Sequence, residues 1–173
     1  MITKRIIIIT GMAGSGKTTA AKALLWKLKK SAHIESDSLI SVNPFIYDAH
    51  LEKLGIKNIA LLIKNFFNSG YENIIISGLI RNKKIFNYFY KLIKPKTKMY
   101  IIYLKANKKS RAQRRLVRAR DGADTKKWID WIDKKFPEDS TLNTSDEKYA
   151  FLETDNNNQS IKKIIEEIKN FIN

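Results

Sequence analysis

A glycine-rich bend set between an apolar run and a helix-forming segment constrains this chain more than any other feature. Residues 4–19 read Lys-Arg-Ile-Ile-Ile-Ile-Thr-Gly-Met-Ala-Gly-Ser-Gly-Lys-Thr-Thr. They hold the pattern G-x-x-x-x-G-K-[ST] at Gly11, Gly16, Lys17 and Thr18, in the strand–loop–helix context that gives the pattern its meaning. Glycines at 11, 14 and 16 let the backbone curl so that successive N–H groups point into one concavity. The helix N-terminus that follows adds partial positive charge there. The loop from Gly11 through Met12, Ala13, Gly14, Ser15, Gly16, Lys17, Thr18 and Thr19 is therefore expected to hold the phosphates of a nucleoside triphosphate. Lys17 would reach the β- and γ-phosphates, and the Thr18 hydroxyl would ligate the magnesium ion that accompanies them.

Length and composition bound the rest. A chain of 173 residues with 43% hydrophobic content supports one domain, residues 1–173, with a buried core. The absence of cysteine excludes disulfides, thiolate chemistry and zinc–cysteine sites. No apolar run approaches the ~20 residues that cross a bilayer, so a soluble, cytoplasmic protein is the expectation. The formal charge of +16 would attract phosphorylated substrates or nucleic acid. Lysines spread along helices, as at Lys27, Lys29, Lys30, Lys162 and Lys163, read instead as solvated faces. The arginines differ, because Arg111, Arg114, Arg115, Arg118 and Arg120 crowd one short segment.

Apolar spacing alternates between strand-like and helix-like periods. Strands are expected at Lys4–Thr10, Ala32–Ser36, Glu72–Ser77, Thr97–Leu104 and Lys148–Glu153. Helices are expected at Thr18–Lys30, 50–69, Asn82–Ile93, Lys108–Arg120, Asp124–Phe136 and Ser160–Ile172, the last with Ser160 as its N-cap. Five strands alternating with helices imply right-handed crossovers and an α/β fold: a five-stranded parallel sheet covered on both faces. Ligands bind such sheets beyond the C-terminal strand ends. The segments Gly11–Thr18, Glu35–Asp37, Ser77–Arg81 and Thr154–Asn158 should converge there.

Three groups around the loop carry candidate chemistry. Asp37 follows the second strand, where it could hold a magnesium-bound water or accept the proton of an attacking hydroxyl. Capping the next helix is its competing role. The third strand ends Ser77-Gly78-Leu79-Ile80-Arg81 without the acid that motor-type and switch-type ATPases place there. Arg81 would project into the cleft and grip an anionic acceptor. Arg114 and Arg118 lie four apart on one helical face, an arrangement that makes sense against a polyphosphate. Gly122 would let residues 108–136 open and close as a helical, arginine-rich lid. Trp128 and Trp131, with Ile129, Ile132 and Phe136, are expected to pack the lid helix. Asn156, in the Asn156-Asn157-Asn158 turn, could hold a nucleotide base. His33 and His50 have no ligand-spaced partners.

On these residues the chain resembles the small P-loop kinases, in particular the nucleoside monophosphate kinases. The loop Gly11–Thr18, Asp37 after the second strand, the Gly78…Arg81 turn, and Arg114 with Arg118 followed by Arg120-Asp121 are similar to that family's motifs. The resemblance gives Arg81 the acceptor's phosphate and casts Arg120 as a second acceptor contact. It also implies a P-loop NTPase of the kinase type. Gluconate- and shikimate-type kinases are more loosely similar, through the Ser-small-Leu turn at Ser77–Leu79. In those enzymes the strand-two Asp acts on the acceptor hydroxyl.

The expected activity is transfer of the γ-phosphoryl group of ATP, with Mg2+, to a small-molecule phosphate acceptor, first of all a nucleotide or nucleoside. Lys17, Asp37, Arg114 and Arg118 would be catalytic. Two kinase alternatives stay open: a polynucleotide 5′-hydroxyl kinase, favoured by charge, and a kinase of a small metabolite such as a sugar acid. A nonenzymatic nucleotide-binding module is the third, favoured by the missing acid. The segment between Leu39 and Asn58, which should line the acceptor pocket, carries no interpretable motif.

Overall fold

The computed structural model describes residues 4–118, 125–138, 140–142 and 144–173. Its elements run β1 (Arg5–Thr10), α1 (Lys17–Leu25), β2 (Ser31–Glu35), a 3-10 turn (Ser36–Ser38), α2 (Ala49–Asn68), β3 (Asn73–Ser77) and α3 (Lys83–Ile93). After these come β4 (Lys98–Lys105), α4 (Lys108–Arg118), α5 (Thr125–Lys135), a second 3-10 turn (Ser140–Leu142), β5 (Ala150–Asp155) and α6 (Ile161–Ile172). The strands form one sheet in the order β2-β3-β1-β4-β5, every pairing parallel.

The isoleucine run of β1 explains why this strand lies at the centre. Alternate residues point to opposite faces, and all four isoleucines are buried. Ile6 and Ile8 join Ile74, Ile76, Ile56, Ile59, Phe86 and Phe89 in the core beneath α2 and α3. Ile7 and Ile9 join Ile75, Ala20, Leu24, Ile164 and Ile168 beneath α1 and α6. Each such side chain removed from water contributes about 1.5–3 kcal/mol, so a polar residue inside β1 would damage both layers.

Helix starts follow local chemistry. Asp48 accepts from Leu51 N–H at 2.8 Å to cap α2, and Asn82 accepts from Ile85 N–H at 2.9 Å to cap α3. Ser160 caps α6 as expected, accepting from Lys163 N–H at 3.3 Å. Asp37 is not a helix cap; it sits in the 3-10 turn after β2. Helix α1 stops at Leu25 rather than running to Lys30. Ser31 Oγ donates to the carbonyls of Leu25 and Leu28 at 2.7 and 2.8 Å, and Lys30 turns to a φ of 47°. The hydroxyl therefore satisfies carbonyls that further helix would have used. Trp26 is left 85% exposed at that corner.

Candidate active site

The chain leaves β1 at Thr10 and bends at once. Gly11 has a φ of 134°, and a Cβ there would lie 2.5 Å from the Leu104 carbonyl oxygen of β4, so only glycine fits. Gly16 caps α1 in the left-handed region at φ 98°. The first amide of the helix to bond inward is that of Ala20, which donates to Gly16 O at 2.9 Å. The N–H groups ahead of it belong to the helix end, where anions are received. Ser15 is fully buried beneath the bend, and among the described residues its hydroxyl has no hydrogen-bond partner. Thr19 lies on the exposed side of the first helical turn.

Lys17 folds back over its own loop, its Nζ donating to the Gly11 and Met12 carbonyls at 3.0 Å each. Burial draws its pKa down to about 8, opposed by Asp37 and reinforced by Arg111 and Arg115. A polyanion entering the loop would reverse that cost. Thr18 Oγ1 donates to Glu35 Oε1 at 2.9 Å. Glu35 is the last residue of β2; the sequence placed it in a segment expected to converge on the cleft and gave it no role of its own. It stands beside the hydroxyl expected at magnesium, while β3 ends in Ser77. That serine is engaged otherwise: its hydroxyl pairs with His33 Nε2 at 2.9 Å, and its carbonyl accepts from Ser36 Oγ at 2.6 Å. The Ser36 bond fastens the β2 end to the β3 end and leaves the exposed Asp37 lining the cleft.

The cleft has a volume of about 450 Å³. Gly11, Met12, Ala13, Gly14, Gly16, Lys17 and Thr18 line it, with Asp37, Arg81 and Arg114. Arg114 donates to the Asn156 carbonyl and, at 3.3 Å, to Asn157 O. Asn156 is only 8% exposed and does not line the cleft. Its Nδ2 donates to Ser15 O at 2.6 Å, so its amide is spent supporting the loop rather than turned toward a base. The side chain of Arg118 and all of Arg120 lie outside the described residues, as does the hinge expected at Gly122.

Arg111, one of the arginines crowded into this segment, turns inward. It is 5% exposed and pairs through both guanidinium nitrogens with Asp133 of α5, at 2.8 and 2.6 Å. The same guanidinium donates to Ala13 O at 3.1 Å, tying α4 and α5 to the phosphate loop. Asp133 raises the Arg111 pKa through these bonds, against the opposing effect of burial.

Opposite the loop, Arg81 donates to Glu52 Oε2 at 2.8 Å and to the Tyr47 hydroxyl at 3.0 Å. Its guanidinium stacks 4.7 Å over Phe136, whose ring meets Tyr47 edge-on at 4.8 Å. Burial raises the Tyr47 hydroxyl above the usual phenol range, with Arg81 pulling the other way. That hydroxyl stays protonated and donates to Glu52 at 3.2 Å. Trp131 does not pack inside the lid; it is 53% exposed and lines the cleft with Phe45 and Lys135, while Ile129 is the residue buried. Glu52, Tyr47 and Lys135 went unassigned in the sequence, and Phe136 was expected only to pack the lid helix. No spacing rule links Tyr47 and Glu52 to Lys135 and Phe136, because the two pairs come from distant stretches of chain.

A phosphate loop at the C-terminal end of the central strand of this parallel sheet defines a P-loop nucleoside-triphosphate-binding fold of the kinase type. The AAA domain family (AAA_18) matches residues 7–130, and the chain belongs to that family. No curated protein sequence matches it. Among solved structures it is similar to a sugar kinase from Janibacter sp. HTCC2649, with TM-score 0.69, 15% identity, and coverage of 98% of this chain and 94% of that one. A gluconokinase from Sinorhizobium meliloti 1021 gives 0.67 at 13% identity, covering 96% and 89%. The APS kinase of Mycobacterium tuberculosis, solved with AMPPNP and APS, gives 0.65 at 13% identity, covering 99% of each chain. At these identities the likeness establishes the fold. Among the described residues no helix is long and apolar enough to cross a membrane.

Proposed function

We propose that this protein is an ATP-dependent phosphotransferase that moves the γ-phosphoryl group to a small acceptor, first of all a nucleotide or nucleoside. The observation that carries this is the meeting of Lys17, Thr18 and Asp37 in one cleft of about 450 Å³, a volume suited to small molecules rather than a polymer. Similarity in fold to structures described as a sugar kinase, a gluconokinase and an APS kinase supports the same class of reaction.

The loop amides and Lys17 bind the triphosphate and neutralise charge on its outer phosphates. Arg114, braced on the Asn156–Asn157 turn, adds a second cation beside the loop. Asp37, exposed at the mouth of the β2 end, accepts the proton of an attacking hydroxyl or orients it. The residues fit magnesium in kind. Thr18 and Glu35 are hard oxygen donors in hydrogen-bond contact, the kind of ligand magnesium takes. Thr18 would hold the ion, with Glu35 and Asp37 holding its waters. Bound there, magnesium supplies electrostatic stabilisation of the phosphates. The arrangement also favours α4 and α5 as a lid that excludes water, with Arg111–Asp133 as its fastening to the loop.

The test is ADP formation from Mg–ATP against a panel of nucleoside monophosphates, nucleosides and sugar acids. Acceptor-stimulated ADP release is the result expected. ADP release that no acceptor changes would replace the proposal with a nucleotide-binding module or plain hydrolase.

A further inference from the structure

The acceptor side of the cleft carries two cations in unlike surroundings. Arg81 is already partnered: its fork is engaged by Glu52 and the Tyr47 hydroxyl, and Phe136 covers its face. Two of its five N–H donors are held in this way, one of them in an ion pair at 2.8 Å. Lys135, in the last turn of α5, is held another way. Its ammonium lies 4.9 Å from the ring centroid of Trp131, 5.4 Å from that of Tyr47 and 5.8 Å from that of Phe136. Among the described residues no carboxylate comes within ion-pair distance of it.

We propose, resting on the phosphotransferase reading above, that Lys135 recognises a negatively charged group on the acceptor. The acceptor is then an anion, a phosphate monoester or a carboxylate, and Arg81 with Glu52 is the strut that positions the Tyr47 wall. Three aromatic faces stabilise an ammonium without neutralising it. They leave its N–H donors for an oxyanion, since a ring face replaces no carboxylate. The rings also displace water from one side of the ammonium, which strengthens its attraction for an incoming charge. The sign of the remaining cleft agrees. Lys17, Arg114 and Arg115 line it, and of the lining carboxylates Asp133 is consumed by Arg111, leaving Asp37. A cationic acceptor would be repelled. Lys135 also sits two residues from Asp133, whose pairing with Arg111 reaches the loop carbonyl of Ala13. The anion site is thereby held at a set distance from the donor phosphates.

The experiment is calorimetric titration of the full chain saturated with Mg–AMPPNP. The probes are AMP, CMP, dTMP and gluconate, each beside its neutral counterpart: the nucleosides and glucose. At least one anionic probe should bind about tenfold or more tighter than its counterpart, the scale of a charge pair partly shielded from water. Phosphate against carboxylate probes tells which anion is preferred. Lys135→Gln should erase the preference and Lys135→Arg should retain most of it; loss of the ring contacts in the glutamine variant should lower the melting temperature by no more than ~2–4 °C. In turnover, Lys135→Gln should raise the acceptor KM more than it lowers kcat. Equal binding of anion and counterpart, a preference that survives Lys135→Gln, or no binding by any probe would each overturn the assignment. Acceptor-stimulated ADP release with neutral acceptors alone would sink Lys135 and leave phosphotransfer standing. ADP release indifferent to every acceptor would sink phosphotransfer itself, however the binding arms fall.

Discussion

Lys17 reaches the carbonyls that hold it across six and five residues of chain, whereas Arg81 reaches Tyr47 and Glu52 across 34 and 29. The donor half of the cleft is built mainly from one continuous bend, with Glu35 and Asn156 added from outside. The half proposed to take the acceptor is assembled from the loop before α2, from α2 itself, from the turn after β3 and from α5. The first half is therefore governed by backbone sterics and helix-end chemistry, which act locally. The second depends on how far separate elements pack toward each other. A substitution in the donor half should strike turnover, and one in the acceptor half should strike affinity and selectivity.

The largest expected effect tests that division directly. Lys17→Ala should lower turnover by ~10²–10³-fold, the scale of losing one preorganised electrostatic group, with little change in acceptor KM. Unaltered turnover would break the comparison at its root. Next in size, Glu35→Gln should raise the magnesium concentration for half-maximal ADP formation by ~10–100-fold, as loss of an orienting carboxylate does. A magnesium titration unchanged by the variant would show that the Thr18–Glu35 bond serves folding alone.

A third change probes the fastening between the halves. Arg111→Met removes both bonds to Asp133 and the bond to Ala13 O. The expected loss of unfolding free energy, read by urea denaturation, falls below the ~3–5 kcal/mol of a fully buried pair, because the Asp133 side chain remains 20% exposed. A denaturation midpoint equal to wild type would mean that the lid is held by other contacts.

The smallest effect is one of pH. In the free protein Lys17 titrates near 8, and a bound triphosphate would raise that value by pairing with the ammonium. Affinity for Mg–ATP is then fully present below about 8 and falls severalfold as pH rises toward the higher value of the complex. Binding measured from pH 7 to 9.5 should show this fall, and Lys17→Met should flatten it. A wild-type profile flat across that window would place the lysine outside the binding event.

Particular residues show where legibility ended. The strands and helices were readable because isoleucine runs and apolar periods report which faces are buried, and their ends shifted by only a residue or two in most elements. The end of α1 was not, because the bonds that stop it come from Ser31, beyond the helix. Asn156 was placed in the right neighbourhood but not its orientation, which Ser15 O decides. Trp131 was expected to pack the lid helix, since an aromatic at helical spacing ordinarily does; it stands 53% exposed at the cleft instead, with the Lys135 ammonium 4.9 Å from its ring.

By itself the order of residues determined the parallel sheet, the bend that only glycines allow, and the lysine and hydroxyl at the helix start. The sheet follows from apolar runs alternating with helical periods, the bend and the helix start from torsional limits and hydrogen bonds within a few residues. Tertiary structure alone decided that Glu35 stands beside Thr18, that Glu52 holds Arg81, and that three rings surround Lys135. Those meetings are by-products of burying two apolar layers against one sheet, and the packing distances that produce them are written in no local stretch of chain.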